Sequence, residues 1–248
     1  MPAIAAPKAS DLRPLEATFH RLVESQEEVA TNSLVENLDE QAVLEDMLEE
    51  SKPKLPPECA GLHYLFATPF RYPPLRWGSR FGSALLPGIF YGSASANTML
   101  WEAAFYRFVF VEAMQLPFPQ PVKSNHTEFT GKIKAAQALA LELPPFGGFV
   151  RVLCSPTSYA ATQQLGERMR ALDVQAFSYP SARCPEGGLN YGLFTPKAFG
   201  TKEPRETTPW LCAIEGETLS FYCKTNKSLQ HFEKRAFLIQ GKFARPAV

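Results

Sequence analysis

At 248 residues, 45% of them hydrophobic, the chain suits one globular domain, or one domain with an appendage. Its 25 basic and 25 acidic residues cancel, which excludes an overall field that would draw nucleic acid or an anionic membrane. The 22 prolines argue for long ordered loops and against an all-helical bundle. The start, MPAIAAPKAS, lacks the apolar core of a signal peptide, and no window approaches ~18 uncharged apolar residues, so no membrane span is expected. Five scattered cysteines without a CxxC pair suggest reduced thiols in a cytoplasmic protein, not a metal site.

In chain order, residues 9–50 read as helical and acidic. Leu15, Phe19 and Leu22 recur at spacings of four and three, and LDEQAVLEDMLEES follows. Three prolines in SKPKLPPE end this stretch. The expected organisation is a helical N-terminal arm over 1–58, acting as a packing cap, and a body over 59–248. Leu62–Thr68 reads as a short strand that delivers Arg71 and Tyr72, and Ile89–Tyr91 as a second strand. Ser93 or Ser95 caps a helix from about Asn97 to Met114 that carries Glu102.

Farther on, residues 126–134 alternate like a strand and Ala135–Leu141 suits a short helix. The four histidines, at 20, 63, 126 and 231, are too isolated to suggest metal. Ser155-Pro156 opens a helix to about Ala171, and VQAFSY is a strand ending at Ser181. Asn190–Thr195 makes a further strand, Trp210–Glu215 and Leu219–Lys224 a hairpin, and Arg235–Gln240 a last strand.

The chemistry concentrates between Phe70 and Tyr106. Arg71 and Arg80 offer planar forks that bind phosphate oxygens bidentately. Tyr72 and Tyr91 offer faces for stacking, and a Gly/Ser/Ala-rich stretch over 81–95 lets a ligand approach the backbone. Glu102 lies among aromatic and apolar neighbours near a helix start, where it serves a ligand or pairs with a cation such as Arg107. Ser181 has no GxSxG elbow around it, so a Ser-His-Asp triad is not supported. The residues alone describe an α+β domain with a site for an anionic ligand.

The ordered set Arg71-Tyr72, GSRF (78–81), IFYGS (89–93), Glu102, YPSAR (179–183), Gly187-Gly188 and Leu193-Phe194 resembles the RES domain, named for its Arg, Glu and Ser. The likeness runs from about Leu62 to Arg235. Ser79-Arg80-Phe81 departs from the Gly-Arg-Trp of many relatives but keeps the arginine. The resemblance implies a fold similar to ADP-ribosyltransferases, with a twisted, mostly antiparallel β core flanked by helices. It implies a cytoplasmic toxin of a toxin–antitoxin pair that cleaves the nicotinamide–ribose bond of NAD⁺, and a helix-turn-helix antitoxin of the Xre type as partner.

On that resemblance Arg71, Glu102 and Ser181 are catalytic, while Tyr72, Arg80 and Tyr91 bind NAD⁺, which is substrate and not cofactor. Glu102 stabilises the cationic ribose, the arginines hold the pyrophosphate, the tyrosines position nicotinamide and ribose, and Ser181 bonds substrate or nucleophile. The lack of a Rossmann GxGxxG fits a consumed NAD⁺. The acceptor stays open: water makes a glycohydrolase, inorganic phosphate a phosphorylase, and a protein side chain an ADP-ribosyltransferase. The remaining alternative is an interaction module without turnover.

Overall fold

The computed structural model describes residues 4–25, 34–114 and 120–245. Strand β1 is Arg13–Glu24, followed by helices α1 (Leu38–Ser51) and α2 (Tyr64–Arg71). Then come β2 (Phe90–Ser93), α3 (Ala96–Glu112) and the long β3 (Val122–Ala140). The short α4 (Val150–Leu153) and α5 (Ala160–Ala171) lead to β4 (Ala176–Pro180) and β5 (Leu189–Leu193). Strands β6 (Glu206–Glu215), β7 (Thr218–Cys223) and β8 (Leu229–Glu233) form a meander, and β9 (Leu238–Ile239) pairs with β10 (Lys242–Phe243) near the C-terminus. The fold is α+β: an eight-stranded, mostly antiparallel sheet with helices packed on it.

The sheet order is β1-β2-β5-β4-β3-β6-β7-β8, and β1 also pairs with β3. Strands β1, β2, β5, β4 and β3 therefore close into a ring, in which only β3 and β4 run parallel. All five send apolar side chains to one cluster: Phe19, Phe90, Leu193, Ala176, Phe129 and Ile133, with Phe66 of α2 joining them. Phe19 is wholly buried and meets Phe90 edge-on, centroids 4.9 Å apart. It fits because β3 carries Gly131, where a Cβ would lie 2.6 Å from the Phe19 ring. Outside the ring, α3 packs on β6–β8 through Leu100, Phe105 and Phe108 against Trp210, Phe221 and Phe232. Helix α5 packs on β4 through Leu165 and Met169.

Several sequence expectations need correction. Residues 13–24 are a strand, not a helix, and lie inside the sheet. They pair along β3 from Arg13↔Ala138 to Glu24↔His126. The segment before residue 59 is therefore not a separate helical arm; among its described residues the one α-helix is α1. Leu15, Phe19 and Leu22 imitate helical spacing, but Leu15, Ala17, Phe19 and Val23 alternate with Glu16, Thr18, His20 and Glu24 and pack on one cluster. This strand pattern is broken only at Arg21-Leu22, where Leu22 packs against the other side.

Leu62–Thr68 contributes to a helix, with the His63 ring accepting from Leu65 N–H at 3.3 Å and Phe66 and Ala67 on its buried side. Ala135–Ala140 continues β3; its small side chains are selected by the crowded ring, which overrides alanine's helical preference. Ser155 caps a turn ahead of α5, its Oγ accepting from Ser158 N–H at 3.2 Å, and the helix starts only at Ala160. Residues 234–237 form a 3-10 turn in place of the first half of the expected last strand, and 238–239 are strand.

The expected elements at β2, α3, β4, β5 and the β6–β7 hairpin are present, with shifted ends. The expected helix end at Met114 extends only slightly beyond Glu112. All five cysteines are unpaired. Among the described residues no helix is long and apolar enough to cross a membrane.

Candidate active site

A cleft of about 590 Å³ lies between α3 and the outer face of the ring. Helix α3 faces it with Glu102, Tyr106 and Arg107, β1 with His20 and Arg21, and β2 with Tyr91 and Ser93. The helix starts where it does because the Ser95 side chain accepts from Thr98 N–H at 3.2 Å. That cap places Glu102 two turns into the helix, over β5.

Glu102 is clamped through one oxygen. Its Oε1 accepts from Ser181 Oγ and from Asn190 Nδ2, each at 2.6 Å. No described residue donates to Oε2, and Glu102 lines the cleft. The carboxylate thus has one anchored oxygen and one free for a ligand. Ser181 is itself saturated, because its Oγ also accepts from Arg183 N–H at 3.1 Å and Cys184 N–H at 3.0 Å. Its hydroxyl positions Glu102 and has no capacity left for substrate, unlike the role implied by the resemblance. Asn190 completes a relay, accepting from Ser93 Oγ at 2.7 Å.

Arg80 lines the cleft and is nearly buried. Its NH1 donates to Leu153 O at 3.0 Å and Ser155 O at 2.8 Å, and its Cζ sits 4.6 Å over Tyr159. The tether uses one nitrogen and leaves the rest of the fork toward the cleft. Gly78, with φ +72, opens the loop that presents it. Tyr91 secures the same loop: its OH lies 2.9 Å from Ser79 Oγ and accepts from Phe81 N–H at 3.2 Å. Burial pushes the Tyr91 hydroxyl up to about 12, so it remains a neutral phenol. Its polar atom is thus committed to the loop, while its ring faces the cleft.

Arg71 and Tyr72 are not brought to the cleft. Arg71 Nε donates to Pro53 O at 2.6 Å, and NH1 pairs with Glu49 Oε1 at 2.7 Å. It ties α1 to α2, and Tyr72 is exposed beside it. Arg21 lines the cleft together with Arg80 and Arg107. It donates to Tyr91 O at 2.6 Å and lies 4.7 Å over the Phe90 ring. Burial lowers its pKa to about 10, which still leaves it charged at neutral pH.

Sequence reasoning missed Arg21 because it sat inside a stretch read as helix, and missed Asn190 because a single asparagine in a strand carries no local signal. A second polar group occupies the end of the cleft near β3. Arg107 donates to Ser124 Oγ at 3.1 Å, and Ser124 Oγ lies 2.9 Å from His126 Nε2. Burial, with Arg107 nearby, lowers the His126 pKa to about 4, so the ring is neutral at pH 7. Among the described residues no group of three His, Cys, Asp or Glu could hold a metal ion.

Helix α3 thus holds a doubly anchored carboxylate over the sheet, with arginines at the cleft wall. The RES domain profile matches residues 55–213, and the chain belongs to the RES-domain family. Among solved structures it is similar to a chain of the Mycobacterium tuberculosis MbcT–MbcA toxin–antitoxin complex. That match has 14% identity and a TM-score of 0.46, covering 79% of this chain and 85% of that one. No curated protein matches the sequence.

Proposed function

We propose that this protein is a toxin that cleaves NAD⁺ at the nicotinamide–ribose bond and is held in check by a helix-turn-helix antitoxin. The observation that carries the reaction is the Glu102 clamp: Ser181 and Asn190 both on Oε1, no described donor on Oε2, and Glu102 in the lining of the cleft. Nicotinamide leaves as a neutral base, so the demand on the site is to stabilise positive charge developing on the ribose. A preorganised carboxylate meets that demand directly or through a ribose hydroxyl, as in oxocarbenium-like sugar chemistry. Arg21 and Arg80 supply the forks for the pyrophosphate, a role that location denies to Arg71. Tyr91 and Tyr179 offer aromatic walls for the flat ring. NAD⁺ enters as substrate. The antitoxin follows from RES-family membership and its implied place in toxin–antitoxin pairs.

The test is to incubate purified protein with NAD⁺, with and without phosphate, and resolve the products. Wild type should release nicotinamide, and Glu102→Gln should release it about 10²–10³ times more slowly while still binding NAD⁺. Intact NAD⁺ after incubation with folded wild-type protein overturns the proposal. Labelling of a protein band by adenine-tagged NAD⁺ would replace it with ADP-ribosyl transfer to protein.

A further inference from the structure

His20 faces the cleft, and the reading above gives it no task. It is unusually well oriented for a residue only about a quarter exposed. Its Nδ1 lies 2.8 Å from Glu128 Oε1, and the other oxygen of Glu128 accepts from Trp210 Nε1 at 2.8 Å. Glu128 is buried, and both of its oxygens are engaged. Facing a carboxylate oxygen, Nδ1 carries the proton and donates it, which makes Nε2 the acceptor nitrogen. No described residue is hydrogen-bonded to Nε2. An imidazole oriented by a buried carboxylate, with its second nitrogen unclaimed, is the arrangement of a general base.

The sheet register places this base relative to Glu102. His20 is the cross-strand partner of Ser93, and Ser93 is the partner of Asn190. Partners in register project to the same face, so the three form a row across β1, β2 and β5. The row ends on Glu102, which Asn190 holds at 2.6 Å. With strands about 4.8 Å apart, His20 and Asn190 are about 10 Å apart along the row. That row puts the imidazole of His20 and the carboxylate held by Asn190 on one face of the sheet, on either side of Ser93.

We propose that His20, oriented by Glu128, is the general base for the acceptor, and that the acceptor is therefore a hydroxyl compound, with water as the simplest case. This rests on the NAD⁺-cleaving reading and deepens it by naming the acceptor class. A lone pair of the acceptor oxygen forms the bond to ribose C1′. The bond from C1′ to the nicotinamide nitrogen breaks, and its electron pair neutralises the pyridinium ring as nicotinamide leaves. The acceptor proton passes to His20 Nε2 and then to solvent. Inorganic phosphate and other anionic nucleophiles attack without having to shed a proton and do not need this base.

The experiment compares nicotinamide release by wild type, His20→Asn and Glu128→Gln, each with and without sodium azide, after confirming NAD⁺ binding. Wild type in phosphate buffer should yield ADP-ribose as the main product. Both variants should hydrolyse NAD⁺ more slowly, His20→Asn by about 10²-fold. Azide should restore nicotinamide release in His20→Asn, with ADP-ribosyl azide as the product. Hydrolysis by His20→Asn within a few-fold of wild type overturns the inference alone, as does slow hydrolysis that azide fails to rescue in a variant that binds NAD⁺. A phosphorylated ribose as the main wild-type product also overturns it alone, a result that needs no variant to fold. Intact NAD⁺ with wild type overturns both this inference and the reading beneath it.

Discussion

Asn190 holds Glu102 from the sheet below it, donating to Oε1 at 2.6 Å while its own carbonyl accepts from Ser93 at 2.7 Å. Ser181 reaches the same oxygen at 2.6 Å from the end of β4, so the carboxylate is held from two directions. A hydrogen bond to a charged group contributes about 1.5–3 kcal/mol, roughly tenfold to a hundredfold in rate if felt wholly in the transition state. Asn190→Ala should therefore slow nicotinamide release by about that factor. KM should stay within a few-fold, since the amide touches the carboxylate and not the substrate. Steady-state kinetics check this; an unchanged kcat would mean that Ser181 alone suffices.

The two arginines of interest should respond oppositely. Arg21→Lys keeps a charge in the cleft but loses the planar fork that bonds Tyr91 O and stacks on Phe90, and turnover should fall at least about tenfold. Arg71→Lys replaces a residue that pairs with exposed Glu49, and turnover should change by less than about threefold. Measured rates in the reverse order would move the anion site from β1 to α2.

Removing residues 1–53 should prevent folding. The deletion takes away β1, which closes the ring between β2 and β3 and carries the wholly buried Phe19. Loss of one such phenylalanine to alanine typically costs about 3–5 kcal/mol, a large share of the about 5–15 kcal/mol that stabilises a domain. Denaturant titration of the truncated chain should show no cooperative transition. A sharp transition with NAD⁺ turnover would show that the ring is dispensable.

His126 sets a pH dependence of stability. Its folded pKa, about 4, lies below the ordinary histidine value because burial and then Arg107 disfavour the cation, with Glu24 opposing. Between about 6.5 and 4 the unfolded chain binds a proton at this position and the folded one does not. The stability contributed by the neutral ring is fully present above about 6.5 and is lost as pH falls toward 4. Stability of wild type should therefore drop more steeply over that window than stability of His126→Gln. Denaturant unfolding at a series of pH values checks this; parallel profiles would refute it.

What the sequence determined by itself was the local grammar and the order of the chemistry. Ser95 caps α3, Gly216 at φ +58 turns the β6–β7 hairpin, and the apolar run VQAFSY forms β4. Each depends on neighbours within a few residues, so each is legible without the fold. The same holds for Glu102 near a helix start and Ser181 at a strand end. Only the tertiary structure decided which groups meet. Arg71 and Arg21 are both arginines beside aromatic residues, and the pairing of β1 with β2 and β3 selects Arg21 for the cleft while α1 draws Arg71 away. Asn190 reaches Glu102 across 88 positions of chain, and Ser181 across 79. Such contacts depend on sheet register, which is a property of pairs of distant strands. For the same reason β1 was hidden: Leu22 interrupts the alternation of Leu15, Ala17 and Phe19 and completes a helix-like spacing, and the strand state is fixed by the partners that close the ring.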